Sequence, residues 1–311
     1  MPLLISWSIA FDTIIQTVWE FRTQDNRANT HLHLSLFSPV MRKEYGGTAA
    51  NIAYSLALLG KNSYMIGSVG EDAVEYLSRL RDMGINTELV QTIPWSYSAQ
   101  AYILRDEEKG QINTFHPWAM SSSGELTHGN ITFQYAIIAP DSRDGMIRRV
   151  NECTNRGIFT IFDPGQAMGV FSREELIDLT SKAQITIMNE PERAQFLEMT
   201  GEDFIHICQG RWHTGIVTLS DKWSIIISQS DEIIIPAIDR VTFVDATGCG
   251  DAFRAGLIYG LSENWNLERS CQLWSILGWI KVEYMWGQNH SFSRGEIDTI
   301  GQERFGTKFF D

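Results

Sequence analysis

The segment Val244-Asp245-Ala246-Thr247-Gly248-Cys249-Gly250-Asp251-Ala252-Phe253 leads into a helical pattern over residues 254–261. Glycines at 248 and 250 let the backbone N–H groups of Gly248, Cys249 and Gly250 turn towards one point. The helix that starts there adds its positive end, and the two together make an anion hole suited to phosphate. Asp251 places a carboxylate in the same hole, where it would repel a bound anion. That charge is useful if it accepts a proton from a hydroxyl attacking phosphorus. A tight turn with an acid near a helix start gives the same residues without chemistry. The chain has no Gly-x-x-x-x-Gly-Lys-Ser/Thr segment and no His-Arg-Asp or Asp-Phe-Gly set, so phosphoryl transfer here needs a different scaffold.

The elements that would position this loop follow from hydrophobic periodicity. Residues 3–9, 64–69, 158–162, 185–188 and 214–219 read as buried strands, and residues 49–59, 72–83 and 267–285 as helices. The alternation predicts an α/β fold of three layers, a mainly parallel central sheet with helices on both faces. Two segments depart from it. Leu32, Leu34 and Leu36 alternate with His31, His33 and Ser35, a period of two that suits a half-wet strand. Residues 98–104 and 111–115 form a predicted hairpin across a charged turn. These strands are expected to build a small β-sheet lid over the pocket, inserted as residues 13–39 and 93–115 into a core of residues 1–12, 40–92 and 116–311.

Composition bounds the function. The 311 residues carry 25 Lys+Arg against 38 Asp+Glu, a net charge of −13 that argues against a general grip on nucleic acid. Cys153, Cys208, Cys249 and Cys271 show no metal-ligand spacing, which points to a reducing cytoplasm. No apolar run reaches the roughly 18 residues of a membrane span, and residues 1–12 lack the features of a cleaved leader, so a soluble, unprocessed protein is expected.

Ser8-Ile9-Ala10-Phe11-Asp12, Gly46-Gly47 through Asn51-Ile52-Ala53, Phe115-His116-Pro117 with Ala119-Met120, Asp163-Pro164-Gly165-Gln166, Asn189 with Glu192, residues 245–253 and Gly287-Gln288-Asn289-His290 occur in this order. On these motifs the chain resembles the ribokinase/PfkB carbohydrate kinase family, in particular its bacterial adenosine-kinase-like nucleoside kinases. The resemblance spans nearly the whole chain and implies a ribokinase-like fold.

It also implies ATP-dependent phosphorylation of the 5′-hydroxyl of a nucleoside, adenosine preferred, with a ribose- or fructose-type sugar kinase as the alternative. Asp251 would be the general base, and Gly248, Cys249 and Gly250 the anion hole. Asp12 would take two ribose hydroxyls, since a carboxylate only accepts. Gly46 and Gly47 would admit the sugar to the backbone, Asn51 would bind it, and Phe11 would stack on a purine. Thr218, Thr247 and Asn289 would contact the nucleotide, while Asn189 and Glu192 would organise Mg²⁺ and its waters. Potassium is a further expectation of the family, and an unpaired lid edge would allow a homodimer. His31, His33 and His116 receive no role.

Several positions depart from the family pattern. Trp7, Trp118 and Trp286 stand where relatives carry glycine or a smaller residue, and Leu219-Ser220-Asp221-Lys222-Trp223 lacks the usual glycines. Trp223 or Trp286 would either stack on adenine or fill the nucleotide site of a weakened, nucleoside-binding pseudokinase. Trp274 and Trp279 read as packing residues. Survival of Asp251 together with Asp12, Asn51, Asn189 and Glu192 favours retained chemistry.

Overall fold

The computed structural model describes residues 2–18, 37–106, 111–210, 213–219, 222–229, 231–238 and 242–310. Its strands are β1 (Leu3–Ser6), β2 (Ala10–Gln16), β3 (Val40–Gly46), β4 (Ser63–Val69), β5 (Asn86–Thr92), β6 (Ala99–Arg105), β7 (Gln111–His116), β8 (Tyr135–Ile138), β9 (Phe159–Phe162), β10 (Ile185–Asn189), β11 (Thr214–Thr218), β12 (Trp223–Ile227) and β13 (Glu232–Pro236). The helices are α1 (Thr48–Leu58), α2 (Val74–Asp82), α3 (Arg143–Asn155), α4 (Arg173–Lys182), α5 (Glu190–Thr200), α6 (Phe204–Gly210), α7 (Cys249–Ser262), α8 (Leu267–Val282) and α9 (Arg294–Phe305).

Among the described residues, nine strands form one sheet in the order β13-β12-β11-β10-β9-β8-β1-β4-β5. From β11 to β5 every pairing is parallel, and β12 and β13 add an antiparallel edge. Strand residues alternate between two cores, as a period of two requires. Leu3 and Ile5 pack with α1, α7 and α8, while Leu4 packs with α3, α4 and α5 on the other face. This is the expected α/β sandwich. Sequence periodicity leaves β5, β8, β12 and β13 unassigned, because short apolar runs do not by themselves separate strand from helix.

Helices α7 and α8 touch almost backbone to backbone. A Cβ on Gly256 would lie 2.6 Å from the Trp274 nitrogen, and Phe253 stacks on Trp274 with ring centroids 5.6 Å apart. Trp274 is thus a packing residue, and it fixes the helix whose first turn carries Asp251.

A second sheet, β3-β2-β6-β7, stands apart from the first. β6 and β7 form the expected hairpin, whose turn residues 107–110 lie outside the described residues. The boundaries differ from expectation. Residues 10–12 and 40–46, assigned above to the core, belong to this small sheet, because β2 leaves β1 at Trp7 and pairs with β3 and β6. Of the alternating segment 31–37, all but Phe37 lies outside the described residues. No helix among the described residues is long and apolar enough to cross a membrane.

Candidate active site

A cleft of about 620 Å³ opens where the carboxyl ends of β1, β8 and β9 meet the small sheet. Ligand sites of open α/β sheets form at such strand ends. Trp7 and Ser8 follow β1, Asp141 follows β8, Asp163 follows β9, and Glu192 comes from α5. The small sheet contributes Asp12, Ile103, Asn113 and Phe115, and the loop entering α7 contributes Thr247, Gly248 and Asp251.

The glycine pair is dictated by space. A Cβ on Gly46 would lie 2.5 Å from Asp12 Oδ2, and one on Gly47 would lie 2.4 Å from the Ala10 nitrogen. Gly47 also has φ +84°, the left-handed region that favours glycine. The pair lets α1 begin directly behind Asp12, which delivers Asn51 into the cleft wall.

Asp251 sits in the first turn of α7 behind Gly248, whose φ of +78° again demands glycine. Two of the three amides expected in the anion hole are available, since the N–H groups of Gly248 and Gly250 have no acceptor among the described residues. The Cys249 N–H instead donates to the Ala246 carbonyl at 3.1 Å. That corrects the expectation for Cys249, and its side chain lines a separate cavity. Burial pushes the Asp251 carboxyl up to about 6, with Asp163 adding to the rise and Arg254, Asn51 and Lys281 opposing it. Asp12 is also raised to about 6, by burial first and then by the charges of Asp251, Asp245 and Glu44. Two raised carboxyls therefore face one cleft.

A hydrogen-bond chain runs behind Asp251. Asn51 Nδ2 donates to Asp251 Oδ2 at 2.7 Å, and Gln288 Nε2 donates to Asn51 Oδ1 at 3.0 Å. Arg79 Nη1 donates to Gln288 Oε1 at 2.7 Å, which fixes the Gln288 amide and so turns the NH₂ of Asn51 towards the carboxylate. A Cβ on Gly287 would lie 2.6 Å from Asn51 Oδ1. Arg254 is the other organiser. Its Nε donates to the buried Asp163 carboxylate and its Nη1 donates to the Gly250 carbonyl at 2.7 Å. Asp163, raised by burial, keeps a charge partner in Arg254.

Asn189 and Glu192 form a capping box at the start of α5. Asn189 Oδ1 accepts from the Glu192 N–H and Glu192 Oε2 accepts from the Asn189 N–H, both at 2.8 Å. Glu192 still lines the cleft, whereas Asn189 does not. Thr218 ends β11 in register with Asn189, outside the cleft wall. Thr247 lines the cleft, and its Oγ1 donates to Asp245 Oδ1 at 2.9 Å. Asn289 is exposed between the buried Gln288 and His290.

Phe11 requires a correction. It alternates with Ala10 and Asp12 on β2, so its ring points away from the cleft into a cluster with Tyr45 and Tyr76, and Lys43 Nζ lies 3.7 Å from its centroid. The aromatic ring that does line the cleft from the small sheet is Phe115.

The tryptophans do not converge on one site. Trp7 lines the cleft with the Arg254 guanidinium 5.4 Å from its ring. Trp118 leans on Tyr97 and His116, and Trp223 opens β12, partly exposed. Trp286, at φ +64°, is buried with Ile14 and Ile103 of the small sheet. A second cavity, of about 450 Å³, borders Ala246, Cys249, Phe253, Ser275, Gly278 and Trp279, so Trp279 also faces open space.

Sequence reasoning passes over Arg254, Gln288 and Lys281. Arg254, four residues after Gly250, lies on the helix face beneath that carbonyl, a spacing visible in the sequence. Gln288 sits inside a quoted motif. Lys281, buried within an apolar helix, leaves no signal.

Comparison with known proteins agrees with this geometry. The model of the pfkB family carbohydrate kinases matches residues 25–291. A nucleoside kinase of Methanocaldococcus jannaschii is 30% identical over 240 residues, 76% of this chain and 78% of that protein. The structure of Burkholderia thailandensis nucleoside kinase in complex with inosine superposes with a TM-score of 0.89 at 35% identity, covering 98% of this chain and 99% of that one. An ATP-dependent ribose-1-phosphate kinase of Halopiger xanaduensis is 27% identical over 254 residues, covering 76% of this chain and 80% of that protein. With a glycine loop, a buried acid and a cleft beside a small second sheet at the ends of a parallel sheet, the chain belongs to the pfkB family of carbohydrate kinases.

Proposed function

We propose that the chain transfers the γ-phosphoryl group of ATP to the 5′-hydroxyl of a purine nucleoside. One observation carries the reading. Asp251 lies buried beside two free loop amides, while Asp12 faces the same cleft from the small sheet. Asp12 is placed to accept the two vicinal ribose hydroxyls. Asp251, ionised above about pH 6, takes the 5′-proton as the oxygen attacks. The amides of Gly248 and Gly250 stabilise charge on the transferring group, and the fixed geometry supplies most of the remaining rate. Similarity to a nucleoside kinase crystallised with inosine supports a nucleoside acceptor. Phe115 takes over the stacking role first given to Phe11. The cavity beside Cys249 is large enough for a nucleotide base.

A divalent metal such as Mg²⁺ fits this cleft. The capping box uses only Oε2 of Glu192, and Asp163 lines the same wall. Mg²⁺ needs few carboxylates when water and phosphate complete its shell, and it would neutralise triphosphate charge. Glu192 and Asp163 would hold it, with the Asp163–Arg254 pair keeping net charge low.

A substrate panel with ATP and Mg²⁺ tests the reading. Turnover of adenosine and inosine is expected, with adenosine faster, and turnover of free ribose or fructose without any nucleoside would overturn it. Calorimetry separates the pseudokinase alternative, which requires nucleoside binding with neither ATP binding nor turnover. The placement of Trp118, Trp223 and Trp286 outside the cleft lining favours the active reading.

A further inference from the structure

Lys281 lies in the last turn of α8, among Leu277, Ile280 and Val282, and is wholly buried. Burying an ammonium carries a desolvation cost that a methionine there would avoid, so its presence asks for a reason beyond packing. Its Nζ donates to the Tyr284 carbonyl at 2.9 Å. Its Cε reaches the loop, lying 3.5 Å from where a Cβ on Gly248 would stand. The loop is laid over this end of α8, because the N–H groups of Val244 and Asp245 donate to the Val282 carbonyl at 3.0 and 3.1 Å. Gly248 lines the cleft and Lys281 does not, so the side chain approaches the loop from behind.

Asp245 belongs to the same loop. Its Oδ1 accepts from the N–H and hydroxyl of Thr247 and its Oδ2 accepts from the Trp286 N–H at 2.9 Å, so this carboxylate shapes the turn that precedes the anion hole. Burial pulls the Lys281 ammonium below its ordinary range, and Cys249, Asp245 and Asp251 pull it back. Lys281 in turn favours the ionised forms of Asp245 and Asp251.

We propose that Lys281 is a built-in cation for the phosphate loop, a positioning residue whose ammonium, anchored on the Tyr284 carbonyl behind Gly248, raises the positive potential at the Gly248 and Gly250 amides. The inference rests on the phosphotransfer reading and assigns it an internal positive charge in place of an added monovalent ion. A charge fixed behind a loop in a water-poor site acts on the developing anion with little screening and no reorganisation.

The test compares the full-length chain with Lys281→Ala and Lys281→Met, using adenosine, ATP and Mg²⁺ at constant ionic strength maintained with choline. The wild type is expected to turn over equally in choline and in potassium. Lys281→Ala is expected to lose roughly tenfold to a hundredfold in kcat and to recover part of it with methylammonium or potassium, but not with choline. Lys281→Met, which restores bulk without charge, should stay low and resist rescue. The proposal is overturned by a wild type that needs potassium, by Lys281→Met at wild-type turnover, or by a folded Lys281→Ala that no small cation restores. The potassium comparison on the wild type stands even where both variants fail to fold. If no acceptor is phosphorylated, the phosphotransfer reading fails instead. ATP affinity measured by calorimetry then decides this proposal, weakened in Lys281→Ala and restored by methylammonium if it is right.

Discussion

In the proposed reaction Asp251 takes the substrate proton, and its burial carries a cost to the fold. A carboxyl raised from 3.8 to about 6 binds its proton more tightly in the folded chain, so it withdraws stability as pH rises between those values. Asp251→Asn is therefore expected to abolish nearly all turnover, by about 10³-fold or more, while leaving nucleoside affinity near wild type. It should also be more stable than wild type at pH 8, by up to roughly 3 kcal/mol, with the gain vanishing near pH 4. Thermal melts at the two pH values check the sign. The pH dependence of kcat/KM should fall away below about pH 6, with an inflection belonging to the Asp12 and Asp251 pair rather than to either residue. Asn51→Leu removes a bond that favours the ionised Asp251 carboxylate, so the inflection moves to higher pH, and Gln288→Leu moves it the same way by less. Titrated kinetics would read both. Asn51 and Asp251 were legible because glycines close by announce close backbone approach, whereas Asp12 was legible only through the family motif that follows the first strand. Phe11 was misread for a reason available in the sequence, since once Asp12 faces the cleft, strand parity sends its neighbour the other way. Arg254 and Gln288 carried signals in spacing and motif that went unused, while Lys281 was hidden because a polar letter in a helical pattern reads as solvated until packing shows otherwise.

At the scale of elements, the small sheet is held to the loop by Trp286. Its indole packs on Ile14 and Ile103, Arg105 lies 5.0 Å from its ring, and the Arg105 guanidinium also reaches Asp245 at 3.7 Å. A tryptophan at φ +64° costs about 1–2 kcal/mol that glycine would not, so its apolar contact must outweigh the strain. Trp286→Gly is expected to raise the nucleoside KM roughly tenfold through a looser lid, with the KM for ATP within about twofold of wild type. Steady-state kinetics with each substrate varied in turn would show the split, and an equal rise in both constants would count against the latch. The parallel sheet was readable from alternation alone, whereas the lid boundary was not. Nothing in residues 10–12 or 40–46 says which sheet they join, because pairing partners far along the chain decide it.

Across the whole molecule, stability and closure reside in different places. The cores on the two faces of the large sheet are continuous and take in Phe11 of the small sheet, while the cleft side of that sheet meets the body through a cluster of Ile14, Ile103 and Trp286. Ile5→Ala should cost about 2–5 kcal/mol of global stability in denaturant titration. Ile103→Ala should cost far less there and appear mainly as weaker nucleoside binding and faster amide exchange in the small sheet. The capping box adds a consequence for interpreting distant cousins. Asn189 and Glu192 start a helix as well as wall a cleft, so selection for folding alone would preserve them in a lineage that had abandoned catalysis. Their persistence is weak testimony to a living enzyme. Asp251, which burdens the fold that houses it, is the letter such a lineage would discard first, and its retention is the better witness.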